Sequence, residues 1–348
     1  MNREFEQLLD KVRREGGEIR SDSREVGKGD IFVAVPGVNA DGARFIPPAV
    51  EAGASTIVCL PGGAEAEAAR AAGCTVVHHD DPREALWRLA EARWHTGSLP
   101  LRVLGVTGTN GKTTSVFLIK HLLTAAGHRT GLIGTVQNEI GDLVLPAKFT
   151  TPDPYQLQSM LAKMRAAGCE YVAMEVSSHA LAQQRVEGIP FKAGLFTNLT
   201  QDHLDYHKTF ENYRAAKKKL FAQCGIAILN GDDETAAYMK EGLSIPVWTM
   251  GIHHPGEFYA RGIEITTQGA SFHLFTPQGN GRISLHISGL FSVYNAMGTA
   301  ALCTAAGIPF SCIVKGLEGL RGVAGRLECV DTGDRPFSVY VDYAHTPD

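Results

Sequence analysis

One ten-residue stretch decides how this chain folds and what chemistry it carries: Gly105-Val-Thr-Gly108-Thr-Asn-Gly111-Lys112-Thr113-Thr114. It joins a predicted strand at 101–106 to a predicted helix at 113–126, which is the setting of a phosphate-binding loop. Its glycines let backbone N–H groups approach phosphate oxygens, and the helix N-terminus favours an anion. Lys112 is then placed for the β- and γ-phosphates of a nucleotide, and the Thr113 hydroxyl for Mg²⁺. A Gly-rich turn with a surface lysine is the plain alternative, and Val106 stands where the strict motif has its first glycine.

The composition describes an ordinary globular protein and narrows the choice of partners. Of 348 residues, 44% are hydrophobic and 20% charged, as in ordinary globular proteins. The net charge of -4 does not predict binding to nucleic acid or to an anionic membrane. The seven cysteines form no CxxC pair, which favours a reducing compartment. No apolar run reaches the ~18 residues of a membrane helix, and the N-terminus lacks a signal-peptide core. We therefore expect a cytoplasmic protein, and a monomer.

Residues 1–98 are predicted to form a small α/β domain. Short β-rich runs lie at 31–35, 56–59 and 75–77, and helical patterns lie near 45–52, 64–72 and 82–95. Asp81-Pro82 suits the start of the last helix, because an N-cap residue precedes a proline at the first helical position.

From Leu101 onward, strands alternate with helices, which predicts a mainly parallel sheet covered by helices on both faces. The predicted strands lie at 101–106, 130–134, 171–175, 192–197, 226–229 and 246–250, and helices include 113–126 and 154–167. Residues 256–287 alternate in the way of an antiparallel hairpin and predict a small side sheet. Helices near 293–306 and 310–319 and a strand at 337–341 follow.

Two further side chains are predicted to lie beside the phosphate loop. Glu175 ends a buried strand, and His203 follows the next strand; in open α/β sheets ligands bind at that strand edge. A carboxylate there is a natural Mg²⁺ ligand. Taken singly, Glu175 could cap a helix, and His203 could be an ordinary loop histidine.

The Gly-Thr-Asn-Gly-Lys-Thr form of the loop, with Glu175 and His203 in this order and spacing, resembles the Mur ligase family and its folylpolyglutamate synthase and cyanophycin synthetase relatives. The resemblance implies ATP binding by Gly108, Thr109, Asn110, Gly111, Lys112, Thr113 and Thr114. It also implies that Lys217, after Ala215-Ala216, is carbamylated by CO₂. Thr113, Glu175, His203 and the carbamate would then hold two Mg²⁺ ions. A basic helix face is the simpler interpretation of Lys217-Lys218-Lys219.

Three segments resemble the MurE branch of that family. Around Asp22-Ser23-Arg24 and Gly29–Gly37 the chain looks like a uridine-binding domain, which folylpolyglutamate synthases lack. Thr150-Thr151-Pro152-Asp153 resembles the loop that holds the muramoyl peptide, and the run from Ser177 to Arg185 resembles a second substrate contact. The implied substrate-binding residues are Ser21, Ser23, Val38, Asn39, Ala40, Thr150, Thr151, Ser177, Gln183 and Arg185.

The C-terminal part resembles the nucleotide side of the same family. The resemblance implies that Arg326 reaches the phosphates and Asp342 the ribose, with Asn295 as a weaker nucleotide contact. Ser292 and Gly298 depart from the family pattern on the adenine side. The predicted domains are a UDP-binding domain at 1–98, an ATP-binding domain at 99–335, and at 336–348 the start of a linker to a third domain, which this chain stops short of.

The resemblance implies an ATP-dependent ligase that acts in peptidoglycan synthesis. Such an enzyme adds the third amino acid, by expectation meso-diaminopimelate, to UDP-MurNAc-L-Ala-D-Glu through an acyl phosphate, and Lys112, Glu175, His203 and Lys217 carry the catalysis. The alternatives are a MurF-like ligase, a MurE that adds L-lysine, a fragment that only binds the UDP precursor and nucleotide, and a simple P-loop ATPase.

Overall fold

The computed structural model describes residues 3–37, 41–326, 328–330, 333, 337 and 339–343. Two compact units can be distinguished within it. Unit 1 comprises 1–99, 152–163 and 182–189, and unit 2 comprises 100–151, 164–181 and 190–348. None of the described helices is both long and apolar enough to cross a membrane.

Unit 1 contains a parallel four-stranded sheet in the order β1-β2-β3-β4. Its strands are β1 (Ile19–Arg20), β2 (Ile31–Val33), β3 (Thr56–Cys59) and β4 (Thr75–His78). Its helices are α1 (Arg3–Glu15), α2 (Ile46–Glu51), α3 (Ala64–Ala71) and α4 (Pro82–Trp94). As expected, Asp81 caps α4: its carboxylate accepts from the N–H groups of Arg83 and Glu84.

Both faces of this sheet are covered. Successive strand residues point to opposite faces, so Val33, Val58 and Val77 pack with α1 and α4, while Phe32 and Ile57 pack on the other side. Ile46 of α2 and Ala66 of α3 belong to that second cluster. Continuous apolar strands are what a parallel sheet between two helical layers requires.

Unit 2 contains an eleven-stranded sheet in the order β15-β14-β13-β12-β11-β10-β5-β9-β6-β7-β8. The strands are β5 (Arg102–Thr107), β6 (Thr130–Ile133), β7 (Gln137–Ile140), β8 (Leu143–Pro146), β9 (Tyr171–Glu175), β10 (Phe191–Phe196), β11 (Ala227–Asn230), β12 (Val247–Gly251), β13 (Phe258–Thr266), β14 (Gly269–Thr276) and β15 (Gly279–Leu285). β16 (Glu328–Val330) and β17 (Val339–Val341) pair separately and antiparallel.

The remaining helices are α5 (Lys112–Ala125), α6 (Pro154–Ala166), α7 (Ser178–Ala182), α8 (Leu204–His207), α9 (Phe210–Lys218), α10 (Ala236–Lys240), α11 (Leu290–Ala305) and α12 (Phe310–Gly319). Short 3-10 helices lie at Ser23–Glu25, Gly42–Phe45, Thr96–Ser98 and Lys219–Gln223. The predicted α/β class, with a small parallel sheet and a larger, mainly parallel one, is confirmed.

The large sheet is parallel in its centre and antiparallel at both ends. β6, β9, β5, β10, β11, β12 and β13 pair in parallel. The segment 256–287 is a three-stranded meander and not a single hairpin, because it turns twice, before Gly269 and before Gly279. At the other end, β7 and β8 form an antiparallel pair that the sequence analysis did not predict.

The helix that follows the phosphate loop packs closely on α12. A Cβ atom added at Gly316 of α12 would lie 2.6 Å from Leu122 Cγ and 2.7 Å from Leu122 Cα, and Leu122 of α5 is fully buried. Because the second contact is with backbone, a side-chain rotation cannot relieve it. The small residue at 316 therefore sets how near α12 can approach α5.

Replacing Gly316 by alanine is expected to destabilise the protein although alanine is the better helix former. The methyl group would force the two helices apart, and overpacking of this kind costs about 1–3 kcal/mol. Urea denaturation of Gly316→Ala and of Lys315→Ala, at an exposed site one residue earlier, measures the difference. A Gly316→Ala variant as stable as the Lys315→Ala control would contradict the close packing.

Candidate functional site

The phosphate loop lies at the centre of the large sheet. β5 ends at Thr107, and its neighbours are β9, which ends at Glu175, and β10, which Thr197 follows. The carboxyl ends of parallel strands meet at one edge of a sheet, and ligands of open α/β sheets bind there. The strand order therefore brings Glu175 and Thr197 to either side of the loop at 108–111.

Hydrogen bonds from the segment after β10 fix the loop. Thr109 N donates to Asn198 O at 2.9 Å, and Asn110 N donates to Asn198 Oδ1 at 2.9 Å. Thr197 Oγ1 donates to Asn110 O at 2.6 Å. Gly108 has φ +148°, and a Cβ there would overlap the Thr197 hydroxyl, so the position requires glycine.

Two lysine side chains converge on one carbonyl of the loop. Lys112 Nζ donates to Gly108 O at 2.9 Å and to Thr109 O at 2.6 Å. Lys217 Nζ donates to the same Gly108 O at 2.6 Å, and Lys217 is 1% exposed. Burial lowers the pKa of Lys112, and the charge of Glu175 opposes this shift. Burial, and after it the charge of Lys112, lower the pKa of Lys217 well below its usual value. The two amines thus meet at one carbonyl of the loop, where a bound anion would favour their charged forms.

Glu175 is fully buried and has several donors. Its carboxylate accepts from Thr135 N at 2.8 Å, from Thr135 Oγ1 at 3.1 Å and from Thr113 Oγ1 at 3.1 Å. Arg326 Nη2 donates to the same Thr113 hydroxyl at 3.2 Å. The structure thus places three of the predicted residues, Thr113, Glu175 and Arg326, in one hydrogen-bonded group at the start of α5.

His203 lies on the segment after β10, with a left-handed backbone of φ 53°. Its Nε2 is 3.4 Å from Asp202 Oδ2, and its side chain is 40% exposed. Burial lowers the pKa of His203; Asp202 raises it, and the charges of Lys112 and Lys217 lower it. His203 therefore lies within electrostatic reach of both lysines, while its predicted role as a metal ligand stays a prediction.

Asn295, on α11, is buried against the phosphate loop. Gly111 has φ +86°, and a Cβ added there would overlap Asn295 Oδ1. The Asn295 Nδ2 and Arg326 Nε atoms are buried without a hydrogen-bond partner among the described residues. Thr114 is buried in the first turn of α5. Asp342 is exposed directly after β17, and its contact with a ribose stays a prediction.

The two departures on α11 have structural explanations. Ser292 Oγ donates to Gly289 O at 2.6 Å, within the first turn of the helix. A Cβ at Gly298 would lie 2.6 Å from Leu195 Cδ2 of β10, so the absence of a side chain lets α11 approach the sheet.

The predicted substrate residues of unit 2 form a connected group. Thr151 Oγ1 donates to Glu175 O at 2.9 Å and lies 3.4 Å from Ser177 Oγ. Ser177 N donates to Thr151 Oγ1 at 3.1 Å, and Thr150 Oγ1 lies 3.0 Å from Thr135 Oγ1. This group adjoins Glu175 and, through Glu175, the phosphate loop.

The remaining predicted substrate residues belong to unit 1. Ser21 is exposed just after β1, and Ser23 begins a 3-10 helix capped by Asp22. Arg185 donates through Nε and Nη2 to Gln183 Oε1, at 3.0 and 2.6 Å. Val38, Asn39 and Ala40 lie outside the described residues, so nothing is added to their prediction.

Comparison with known proteins gives the family. The model described as "Mur ligase middle domain" matches residues 106–303, and that described as "Mur ligase family, catalytic domain" matches 17–94. The chain belongs to the Mur ligase family. The first match covers the phosphate loop, Glu175, His203, Lys217 and Asn295.

Several relatives carry the name UDP-N-acetylmuramoyl-L-alanyl-D-glutamate--2,6-diaminopimelate ligase. Those from Bacillus licheniformis and Geobacillus thermodenitrificans are 42% and 44% identical over 339 residues, which are 95% of this chain and 68% of each relative. A solved structure of that name is 29% identical, with a TM-score of 0.78 over 95% of this chain and 67% of its own. MurF from Acinetobacter baumannii, 23% identical, has the same fold, with a TM-score of 0.69 over 97% of this chain and 72% of its own.

Two residues that shape the site were not predicted from the sequence. Thr135 gives Glu175 two of its hydrogen bonds, and Tyr213 OH lies 3.0 Å from Thr109 Oγ1 in the loop. Thr135 comes just after β6, at the same edge of the sheet, so its position relative to the strand end was the available signal. The Tyr213 contact spans 104 residues of sequence, and no local pattern marks it.

A buried histidine near the site makes stability depend on pH. His207 Nε2 lies 2.9 Å from Ser178 Oγ, and the His207 ring packs on Tyr213. Burial first, and then the charges of His179, Lys217 and His203, lower the pKa of His207 to about 4, with Asp205 opposing them. In the unfolded chain a histidine titrates near pH 6.5.

As the pH falls below about 6.5, the unfolded chain binds a proton before folded His207 does. The contribution of His207 to stability is therefore intact above about pH 6.5 and is lost toward pH 4, at up to about 1.4 kcal/mol per pH unit. Urea denaturation between pH 7 and 5 should show a smaller loss for His207→Asn than for the unsubstituted protein. The exposed-site control His286→Asn should behave like the unsubstituted protein. If His207→Asn loses as much stability between pH 7 and 5 as the unsubstituted protein, His207 is not the group responsible.

Proposed function

We propose that this chain is the ligase that adds meso-diaminopimelate to UDP-MurNAc-L-Ala-D-Glu, with hydrolysis of ATP to ADP and phosphate, in the cytoplasm. The observation that carries the proposal is the phosphate loop, with the amines of Lys112 and Lys217 on one of its carbonyls and the Glu175–Thr113 hydrogen bond beside it. The names of the relatives support the choice of substrate. We also propose residues 1–98 as the UDP-binding domain, 99–335 as the ATP-binding domain and 336–348 as the start of a linker.

The reaction starts with the free D-glutamyl carboxylate of the UDP precursor. Its oxygen attacks the γ-phosphorus of ATP, the bond to the β-phosphate oxygen breaks, and ADP leaves with an acyl phosphate on the precursor. The amine of diaminopimelate then attacks the acyl carbon, and phosphate leaves as the amide forms. Catalysis of phosphoryl transfer rests on positioning and on charge stabilisation, which fixed donors supply at low cost of reorganisation.

The loop residues supply those donors. The N–H groups at the start of α5 face an anion at the helix N-terminus. Lys112 would leave the loop carbonyls that it contacts and bind the β- and γ-phosphate oxygens, because a polyanion is the better partner for an ammonium group. Asn295 Nδ2 and Arg326 Nε, both buried without a partner among the described residues, would gain acceptors from the nucleotide.

The donor set beside the loop fits Mg²⁺. The Thr113 hydroxyl and the Glu175 carboxylate are hard oxygen ligands 3.1 Å apart, of the kind that Mg²⁺ prefers. We propose that these two residues, His203 and carbamylated Lys217 would hold two ions. When bound, the ions would neutralise charge on the phosphate oxygens.

Carbamylation of Lys217 has support in its surroundings. The reaction requires the neutral amine, whose lone pair attacks CO₂; the product is a carbamate, and one proton is released. Lys217 is 1% exposed, and burial beside Lys112 lowers its pKa well below the usual value, which makes the neutral amine accessible. The carbamate would place an anion beside Lys112, which donates to the same Gly108 O.

The substrate residues divide by chemistry. We propose that Ser21 and Ser23, with Val38, Asn39 and Ala40, bind the uridine moiety, and that Thr150, Thr151 and Ser177 bind the peptide. Arg185, held by Gln183, has a planar fork that suits a carboxylate or phosphate.

Calorimetry with ATP–Mg²⁺ and with UDP-MurNAc-L-Ala-D-Glu, followed by an assay of phosphate release with meso-diaminopimelate, tests the function. We expect both ligands to bind. Lys112→Ala should weaken ATP binding by roughly 100-fold, the loss of a charged hydrogen-bonded partner, and leave binding of the UDP precursor unchanged. Lys192→Ala, at an exposed lysine of β10, is the matched control.

Each result that differs from these expectations points to one alternative function. Binding of ATP without the UDP dipeptide would contradict the substrate and leave a simple ATPase. Preference for the UDP tripeptide would indicate a MurF-like ligase, and product formation with L-lysine in place of diaminopimelate would change the amino acid. Binding of both substrates without turnover would leave a binding fragment only.

The Lys217 carbamate can be observed directly. In ¹³C-bicarbonate at pH 8, NMR of the chain should show one carbamate carbon, which Lys217→Arg abolishes and Lys219→Arg, at an exposed lysine two residues later, retains. Lys217→Arg should also lose ligase activity. A carbamate signal that survives in Lys217→Arg would show that the modified amine is not that of Lys217.

A further inference from the structure

Asp232 connects three segments of unit 2 through one carboxylate. It lies just beyond β11, and its side chain is 7% exposed. The carboxylate accepts from Ile252 N at 2.6 Å, His253 N at 3.1 Å and His254 N at 2.7 Å, all in the loop after β12. Burial would raise the pKa of Asp232, but these hydrogen bonds, together with one from Tyr294, outweigh burial and lower it to about 2. The group is thus a fixed anion at any ordinary pH.

A further donor comes from α11. Tyr294 OH donates to Asp232 Oδ2 at 2.8 Å. Tyr294 lies in the second turn of a helix whose N-cap residue, Gly289, offers no side-chain cap. A charged acceptor strengthens a hydrogen bond, so this contact ties the N-terminal end of α11 to the loops that follow β11 and β12.

The next residue on α11 is the one that faces the phosphate loop. Asn295 is 4% exposed, its Oδ1 lies against Gly111, and its Nδ2 has no partner among the described residues. Neighbouring helix residues keep a fixed angle of about 100°. Holding the Tyr294 side chain therefore also holds the direction in which the Asn295 amide points.

We infer that Asp232 and Tyr294 are positioning residues for nucleotide binding, which orient the Asn295 amide toward an acceptor atom of ATP. The inference rests on the proposed ATP-dependent function. It differs from a purely structural role, because it requires that the effect of Tyr294 on ATP binding pass through Asn295.

The test is a double-mutant cycle on ATP–Mg²⁺ binding measured by calorimetry. Tyr294→Phe removes one hydroxyl and keeps the ring, and it should raise the Kd for ATP roughly fivefold, the scale of one hydrogen bond. The Kd for the UDP precursor should not change. The double variant Tyr294→Phe/Asn295→Ala should bind ATP as Asn295→Ala alone does, because coupled residues are not additive.

Two further variants keep the test decisive. The imidazole of His254 also contacts this carboxylate, with Nδ1 3.0 Å from Asp232 Oδ1, and it is 76% exposed. His254→Ala removes that contact without changing α11, so its Kd for ATP should equal that of the unsubstituted chain. Asp232→Asn removes the charge and turns one acceptor oxygen into an N–H donor, so it should weaken ATP binding at least as much as Tyr294→Phe does. Thermal unfolding of every variant shows whether each is folded at the temperature of the measurement.

Three results would overturn the inference. One is an unchanged Kd for ATP in folded Tyr294→Phe, and a second is independent, multiplying effects of Tyr294→Phe and Asn295→Ala. The third is an equal loss of affinity for the UDP precursor. If the unsubstituted chain does not bind ATP, the proposed function fails and this inference with it. The other case is that the unsubstituted chain binds ATP and Lys112→Ala does not. If Tyr294→Phe then binds ATP with an unchanged Kd, only this inference fails.

Discussion

Two lysine amines share a single carbonyl oxygen in this protein, and the site is organised around that arrangement. Lys112 and Lys217 both donate to Gly108 O, at 2.9 and 2.6 Å. Burial disfavours the charged form of both groups, and the charge of Lys112 adds to this effect at Lys217. An anion bound at the loop would lower the free-energy cost of the charged form for both lysines. The strand order supplies the frame, because β5 lies between β9 and β10 and the segment after β10 holds the loop.

Local sequence predicted much of the frame and the centre of the site. Asp81-Pro82 marked the start of α4, and the alternation of apolar runs marked the parallel strands, because strands buried on both faces are continuously apolar. The loop at 108–111 was identified because glycine spacing, the preceding strand and the following helix all agree. Glu175 was identified from its position at the carboxyl end of a strand, because ligands of parallel sheets bind at that edge.

The residues that local sequence did not reveal act through long-range contacts. Tyr213 reaches Thr109 across 104 positions, and Tyr294 reaches Asp232 across 62. Their types are common on helices, and only the folded arrangement gives them partners. The β7–β8 pair was missed for another reason: Gln137-Asn-Glu-Ile140 has little apolar alternation, because Asn138 and Glu139 are buried polar residues with partners inside the protein.

That pair also ends the large sheet. β8 is four residues long, and Leu143 and Val144 are more than half exposed on it. A free strand edge can recruit a strand from another molecule, and sheets that end in solvent commonly carry a feature that prevents this. Here the last residue is Pro146, which has no N–H to offer a newcomer. β8 therefore ends at a residue that cannot donate a backbone hydrogen bond to an added strand, which disfavours extension of the sheet at this end of its edge.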